Sequence, residues 1–94
     1  MKNGKYTGEE LNLLGIKYIW FKNNQWHRED GPAVEFAGGT KFWYFNGKLH
    51  RLDGHALEYS DGTKFWYYHG EHINCKSQEE FEIFIRKEKL KAFL

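Results

Sequence analysis

Apolar and polar positions alternate in two short segments of the chain, 33–36 and 56–59. In each segment a glutamate, Glu35 or Glu58, stands between apolar or aromatic side chains. A period of two is typical of a β-strand with one covered face. The pattern therefore predicts two strands, and we expect both glutamates to face solvent.

Two aromatic runs, 41–45 and 64–68, also have the length and composition of strands. In the first run, alternation puts Phe42 and Tyr44 on one side and Trp43 and Phe45 on the other. Both sides are apolar there. We expect one side to pack in the core, and the other to be half covered by neighbouring strands or offered to a partner.

The boundaries of these strands carry turn signals. Asn46-Gly47 and Asp61-Gly62 are dipeptides favoured in two-residue hairpin turns, where both residues take a positive φ. The sequence thus predicts antiparallel hairpins rather than parallel strands joined by helices.

Helical signals appear only near the two ends. In segment 77–94, Ser77 and Glu80 fit a capping box, and neither glycine nor proline follows. A weaker helical turn is predicted from Thr7 to Leu14, with Thr7 and Glu10 as its capping pair and Gly15 as its end.

An internal repeat organises most of the chain, because the sequence matches itself at an offset of 23 residues. Segments 17–39 and 40–62 are identical at nine of 23 positions. These positions are Trp20/Trp43, Asn23/Asn46, His27/His50, Arg28/Arg51, Asp30/Asp53, Gly31/Gly54, Ala33/Ala56, Glu35/Glu58 and Gly39/Gly62. A partial third copy, 63–74, begins Thr-Lys-Phe-Trp-Tyr like the second.

These patterns predict a mainly β protein. We expect a single-layer antiparallel meander of hairpin repeats over residues 16–74, an N-terminal extension over 1–15 with one helical turn, and a C-terminal capping helix over 77–94. A terminal element that covers the last unit is typical of repeat arrays.

The repeated pattern W-x-x-N/G-x-x-x-H-R-x-D-G-P-A-x-E resembles the MORN repeat, and it is most similar to a MORN-like variant found in small bacteriophage and bacterial proteins. The resemblance covers residues 16–74 and implies short β-hairpins stacked side by side. The chain departs from the family in having few regularly placed glycines and in having His55 where the previous unit has Pro32. Phospholipid binding, sometimes attributed to eukaryotic members, has no residues to carry it here.

Composition limits the fold and the environment. A chain of 94 residues forms at most one domain, and its lone Cys75 cannot form an internal disulfide. Eighteen aromatic residues must supply most of the core. The formal net charge of +1 lacks the basic surplus of duplex nucleic-acid binders. We expect a cytoplasmic protein without a membrane span, in the host cytoplasm if a phage encodes it.

The repeated His-Arg-x-Asp-Gly motif could be interpreted as a catalytic base with its carboxylate. Its recurrence favours a structural turn instead, because an active site is normally single. We expect the Asp to accept a backbone N–H, the Gly to take the left-handed conformation, and the His to bond to the adjoining turn. The structural set is His27, Arg28, Asp30, Gly31, His50, Arg51, Asp53 and Gly54.

Other chemistry has weaker support in the sequence. His69, His72 and Cys75 offer three metal ligands, but structural zinc sites usually take four. Phosphate-binding loops and nucleophile motifs are absent. We therefore expect a non-enzyme without metal or cofactor.

The functional expectation is a protein-binding module, such as a small phage or bacterial accessory protein or inhibitor that binds a host or defence protein. The candidate interface residues are Trp20, Trp43, Tyr44, Trp66 and Tyr67. The alternatives are a nucleotide or nucleic-acid binder, acting by signal sequestration or single-strand stacking, and an antitoxin-like component. An N-terminal edge strand could also pair two copies.

Overall fold

The computed structural model describes residues 3–93, so residues 1 and 2 of the predicted extension and residue 94 of the predicted tail lie outside it. The protein is a mainly β antiparallel sheet with a C-terminal helix. The elements are β1 (Gly4–Tyr6), α1 (Glu9–Leu13), β2 (Ile16–Lys22), β3 (Gln25–Trp26), β4 (Val34–Phe36), β5 (Lys41–Phe42), β6 (Tyr44–Phe45), β7 (Lys48–Leu49), β8 (Leu57–Glu58), β9 (Lys64–Tyr68), β10 (Glu71–Ile73) and α2 (Gln78–Lys91).

Two loops interrupt the sheet at equivalent places. Strands β3 and β4 both pair with β2, so they lie end to end, and residues 27–33 bulge out between them as loop 1. The N–H of His27 donates to the C=O of Trp20 at 3.0 Å, and the N–H of Trp20 donates to the C=O of Ala33 at 2.7 Å. Loop 2, residues 50–56, leaves the sheet opposite Trp43 in the same way. The N–H of His50 donates to the C=O of Trp43 at 3.0 Å, and the N–H of Trp43 donates to the C=O of Ala56 at 2.8 Å.

The tight turns depend on positive φ angles. Asn46 and Gly47 have φ of 50° and 80°, as the predicted two-residue turn requires. The turns Asn23-Asn24 and His69-Gly70 also have two positive φ angles each. The prediction for Asp61-Gly62 is wrong, because only Gly62 has a positive φ. There the connection is longer: the N–H of Tyr59 donates to the C=O of Thr63 at 2.8 Å.

Strand register gives the sheet two different faces. The apolar face carries a row of directly opposed side chains, Ile19, Val34, Phe42, Leu57 and Phe65. The next row, on the charged face, is Glu35, Lys41, Glu58 and Lys64. Lys41 lies between Glu35 and Glu58, and Lys64 lies opposite Glu58. Opposite charges on neighbouring strands stabilise antiparallel pairs.

The expectation that Glu35 and Glu58 face solvent is wrong. Their side chains are only 17% and 24% exposed. Glu35 accepts a hydrogen bond of 3.0 Å from the hydroxyl of Tyr18, and Glu58 forms an ion pair of 3.3 Å with Arg51. The reason is that the two loops fold back over the charged face and cover it.

The two helices pack on opposite faces. Helix α1 places Leu11 against Ile19 and Val34 on the apolar face. Helix α2 places Phe81 and Ile85 against Trp66 of β9 and Ile73 of β10, on the charged face. The core is therefore divided in two, and α1 covers only the N-terminal end of the apolar face.

The helix starts were predicted with mixed success. Ser77 caps α2 by accepting a hydrogen bond of 3.2 Å from the N–H of Glu80, which confirms the predicted cap. The predicted Thr7 cap is wrong, because α1 begins at Glu9 with Gly8 as its N-cap and no side-chain cap bond. Its end near Gly15 agrees with the prediction, and that glycine has φ of 77°.

Candidate functional site

The arginine of loop 2 is held by four neighbours. Arg51 Nε donates to Asp53 at 3.0 Å, and its Nη1 donates to the C=O of His55 at 3.0 Å and to Glu58 at 3.3 Å. Its guanidinium carbon lies 4.1 Å from the centre of the Trp43 ring, which is the geometry of a cation–π contact. Arg51 thus ties the loop to the charged face of the sheet.

Loop 1 repeats this arrangement. Arg28 donates to Asp30 at 2.9 Å and to the C=O of Pro32 at 3.2 Å. Its guanidinium lies 4.8 Å from the centre of the Trp20 ring. The hydrogen bond from Arg28, with its positive charge, lowers the pKa of Asp30. The Asp side chains of both loops therefore bind arginine.

Two details of the expected turn are wrong. The Asp residues accept from arginine side chains rather than from backbone N–H groups. Gly31 and Gly54 do not take the left-handed conformation. Glycine leaves room there for the arginine: a Cβ on Gly31 or Gly54 would lie 2.8 Å from the guanidinium carbon of Arg28 or Arg51, so the arginine side chain would have to shift.

The histidines join each loop to the next hairpin. The N–H of Asn46 donates to His27 Nδ1 at 2.9 Å, and the N–H of His69 donates to His50 Nδ1 at 2.8 Å. This is the expected bond to the adjoining turn. Burial, together with the stacked ring of His69, lowers the pKa of His50 from 6.5 to about 4.

The candidate interface residues separate onto the two faces. Trp20 and Trp43 lie on the charged face beneath the two loop arginines. Trp66 donates to Gln78 at 2.8 Å and packs against α2. By contrast, Tyr44 and Tyr67 lie on the apolar face. All three tryptophans are therefore engaged in contacts within the protein. Tyr44 also packs against the core cluster that contains Leu11, and both tyrosines are half-buried.

Half-buried and exposed rings on the apolar face form an aromatic surface. Tyr44 packs on Phe42 with ring centres 6.2 Å apart, and burial together with Tyr67 raises the pKa of Tyr44. Trp26 and Tyr59 extend this surface and are 38% and 44% exposed. Neither residue was predicted from the sequence, although the position of Tyr59 on its predicted strand was a signal for it. We call Trp26, Phe42, Tyr44, Tyr59, Phe65 and Tyr67 the aromatic surface.

The charged face has two equivalent clefts. The first has a volume of about 410 Å³ and lies between the N-terminal strand and loop 1, with Trp20, Lys22 and His27 in its lining. The second, of about 740 Å³, lies between loops 1 and 2, with Trp43 and His50 in its lining.

The three candidate metal ligands do not come together. His69 stacks on His50 with ring centres 4.0 Å apart, while His72 packs beside Tyr67 on the apolar face. Cys75 lies against the α2 cluster, where burial raises the pKa of its thiol. No group of three or more His, Cys, Asp or Glu side chains within residues 3–93 has the arrangement of a metal site.

Comparisons with protein families, with curated proteins and with solved structures find no match for this chain. Neither α1 nor α2, the helices of the described residues, is long and apolar enough to span a membrane.

Proposed function

We propose that this chain is a non-enzymatic protein-binding module built from MORN-like repeats, and that the aromatic surface is its contact site. The observation that carries the proposal is the group of linked rings on the apolar face, of which Trp26 and Tyr59 are the most exposed. The repeat assignment is supported by the contacts of Arg28 and His27, which recur at Arg51 and His50.

The surface has the composition of a binding site. Aromatic side chains are enriched among the residues that dominate protein interfaces, and the ring of His72 lies beside Phe65 and Tyr67 on the same face. Its rings are also held in place by one another: Trp26 contacts Tyr44 at 5.1 Å and Tyr59 contacts Phe65 at 6.2 Å, both edge to face. Rings that are already ordered lose less side-chain entropy when a partner binds.

The partner that fits this surface is another protein with an apolar, relatively flat patch. A host or bacterial factor inhibited by a phage accessory protein is one such partner in the cytoplasm, and an antitoxin-like pairing would use the same surface. The charged face is less suited to stacking with a partner's side chain or with a nucleic-acid base, because guanidinium groups already lie over the rings of Trp20 and Trp43. A homodimer through the edge strand β1 remains a separate prediction, testable by the mass in solution.

The test compares two double variants in affinity capture from bacterial lysate. Tyr44→Ser/Tyr67→Ser removes two rings of the aromatic surface, while Lys41→Ser/Lys64→Ser removes two side chains of the opposite face. We expect a protein captured by the wild type to be lost with the tyrosine variant and retained with the lysine variant. With the purified partner, the tyrosine variant should bind at least about tenfold more weakly, as for a hot-spot residue.

Folding is checked in the same experiment by circular dichroism and thermal unfolding. Capture that survives in the tyrosine variant and disappears in the folded lysine variant would place the contact on the charged face and contradict the proposal. If neither variant changes capture, the aromatic surface is not the contact site.

A further inference from the structure

From the first cleft we infer a binding site for a small oxyanion, a carboxylate or phosphate group, held by the side-chain N–H groups of Trp20 and His27 and by Lys22. This site lies on the charged face. It does not depend on the proposed protein contact, which uses the aromatic surface on the opposite face.

Two buried donors at this cleft lack partners. Trp20 Nε1 and His27 Nε2 are the buried side-chain nitrogens or oxygens without a hydrogen-bond partner among residues 3–93. His27 is only 6% exposed. Both residues line the first cleft. Buried polar groups in native proteins are almost always paired, so two orphaned donors at one cleft indicate a missing acceptor.

The tautomer of His27 makes its free ring nitrogen a donor. Its Nδ1 accepts the hydrogen bond from the N–H of Asn46 at 2.9 Å, and a backbone N–H can only donate. The ring hydrogen is therefore on Nε2, which makes that atom a donor. Trp20 Nε1 is also a donor and never an acceptor. The backbone hydrogen bond between these two residues makes them cross-strand neighbours, so their side chains lie on the same face.

Charge favours an anion over a neutral acceptor. Lys22 lines the cleft, and within the described part of the chain its ammonium group forms no ion pair. The carboxylate of Asp30 is neutralised by Arg28. Glu29 opposes an anion, but its side chain is 71% exposed and its Oε1 lies 3.8 Å from His27 Nε2, beyond hydrogen-bond distance. Glu29 can therefore turn toward solvent when the anion binds.

The second cleft provides an internal control. It has Trp43 and His50 at the equivalent positions, but Phe45 stands in place of Lys22 and Leu52 in place of Glu29. Neither Trp43 nor His50 has a buried, unpartnered side-chain nitrogen. The oxyanion site is therefore confined to the first cleft.

The test is a titration followed by ¹H–¹⁵N NMR of the tryptophan indole N–H groups. The four tryptophans give four signals, assigned from single Trp→Phe variants. Inorganic phosphate and glutarate are the two probes, at constant ionic strength. We expect one or both to shift the Trp20 signal downfield in a saturable way, while the Trp43 signal and the Gln78-bonded Trp66 signal stay in place. Which probe binds more tightly identifies the group as phosphate or carboxylate.

A matched pair of variants tests the charge. Lys22→Gln should weaken binding about fivefold, the upper end for an exposed ion pair, whereas Lys41→Gln on another strand of the same face should leave the affinity unchanged. A Trp20 signal that does not move with either probe, or that moves together with Trp43, overturns the inference. Equal affinity of the wild type and Lys22→Gln also overturns it.

Discussion

Replacing Gly54 by Ala tests whether an arginine, rather than a backbone angle, is the reason for the glycine in each loop. A Cβ at this position would lie 2.8 Å from the guanidinium carbon of Arg51. Because φ of Gly54 is not positive, alanine can adopt the backbone conformation. Any loss of stability must therefore come from the displacement of Arg51.

The contacts of Arg51 set the size of the effect. Its cation–π contact with Trp43 contributes about 0.5–2 kcal/mol, and its bond to the C=O of His55 contributes about 1 kcal/mol net. We count nothing for its ion pair with Asp53, whose side chain is 88% exposed. Alanine also stabilises the protein by about 0.4–1 kcal/mol, because it restricts the conformations of the unfolded chain. Gly54→Ala should thus lower the free energy of unfolding by about 0.5–2.5 kcal/mol.

A double-mutant cycle separates the cause from the effect. In an Arg51→Ala background the obstacle is gone, so Gly54→Ala should be neutral or stabilising by up to about 1 kcal/mol. Gly38→Ala is the matched control, since nothing lies within 4 Å of its Cβ position and its φ is not positive. Urea unfolding followed by tryptophan fluorescence measures the four proteins of the cycle and the Gly38→Ala control. An equal loss of stability from Gly54→Ala in both backgrounds would refute the reasoning.

Three further predictions concern the turns, the caps and pH. Asn46→Val should destabilise the protein, because φ of 50° is strained for a β-branched residue, while Asn46→Gly should be tolerated; thermal unfolding compares them. Ser77→Ala should cost about 1 kcal/mol through loss of the α2 cap, and Thr7→Ala should cost nothing measurable by urea unfolding. The pKa of His50 is lowered in the folded state to about 4, so its contribution to stability is complete above the unfolded value of about 6.5 and is lost as the pH falls from there toward 4. His50 should titrate near pH 4 by NMR, and a value near 6.5 would contradict its burial.

Local signals allowed part of the fold to be predicted from the sequence. The Asn46-Gly47 turn and the Ser77 cap are decided by neighbouring residues, so the sequence alone identified them. The position of Glu58 was mispredicted because alternation describes a strand in isolation and cannot show that Arg51 returns from a loop to cover it. Gly54 was misinterpreted for the same reason, since the group that requires a glycine there lies on a side chain.

The candidate site was harder to predict. Alternation correctly put Tyr44 and Trp43 on different sides of a strand, but which side stays uncovered depends on where the helices dock. Leu11 covers one end of the apolar face, and Phe81 covers the last unit of the charged face. Neither docking is encoded in the strands themselves. Trp26 was missed because the following unit has Leu49 at that position, so Trp26 is not among the residues that recur in the repeat.

The bond from each histidine to the following hairpin has a consequence for how the chain can vary in length. His27 and His50 accept from backbone N–H groups, which are present whatever the turn residue is, and the turn residues Asn46 and His69 do differ. If a further copy of residues 40–62 were inserted after residue 62, its turn N–H would donate to His50. The histidine of the copy would in turn accept from the N–H of His69. Each added copy would widen the sheet by two strands, or about 10 Å, and would enlarge both faces without a new kind of contact.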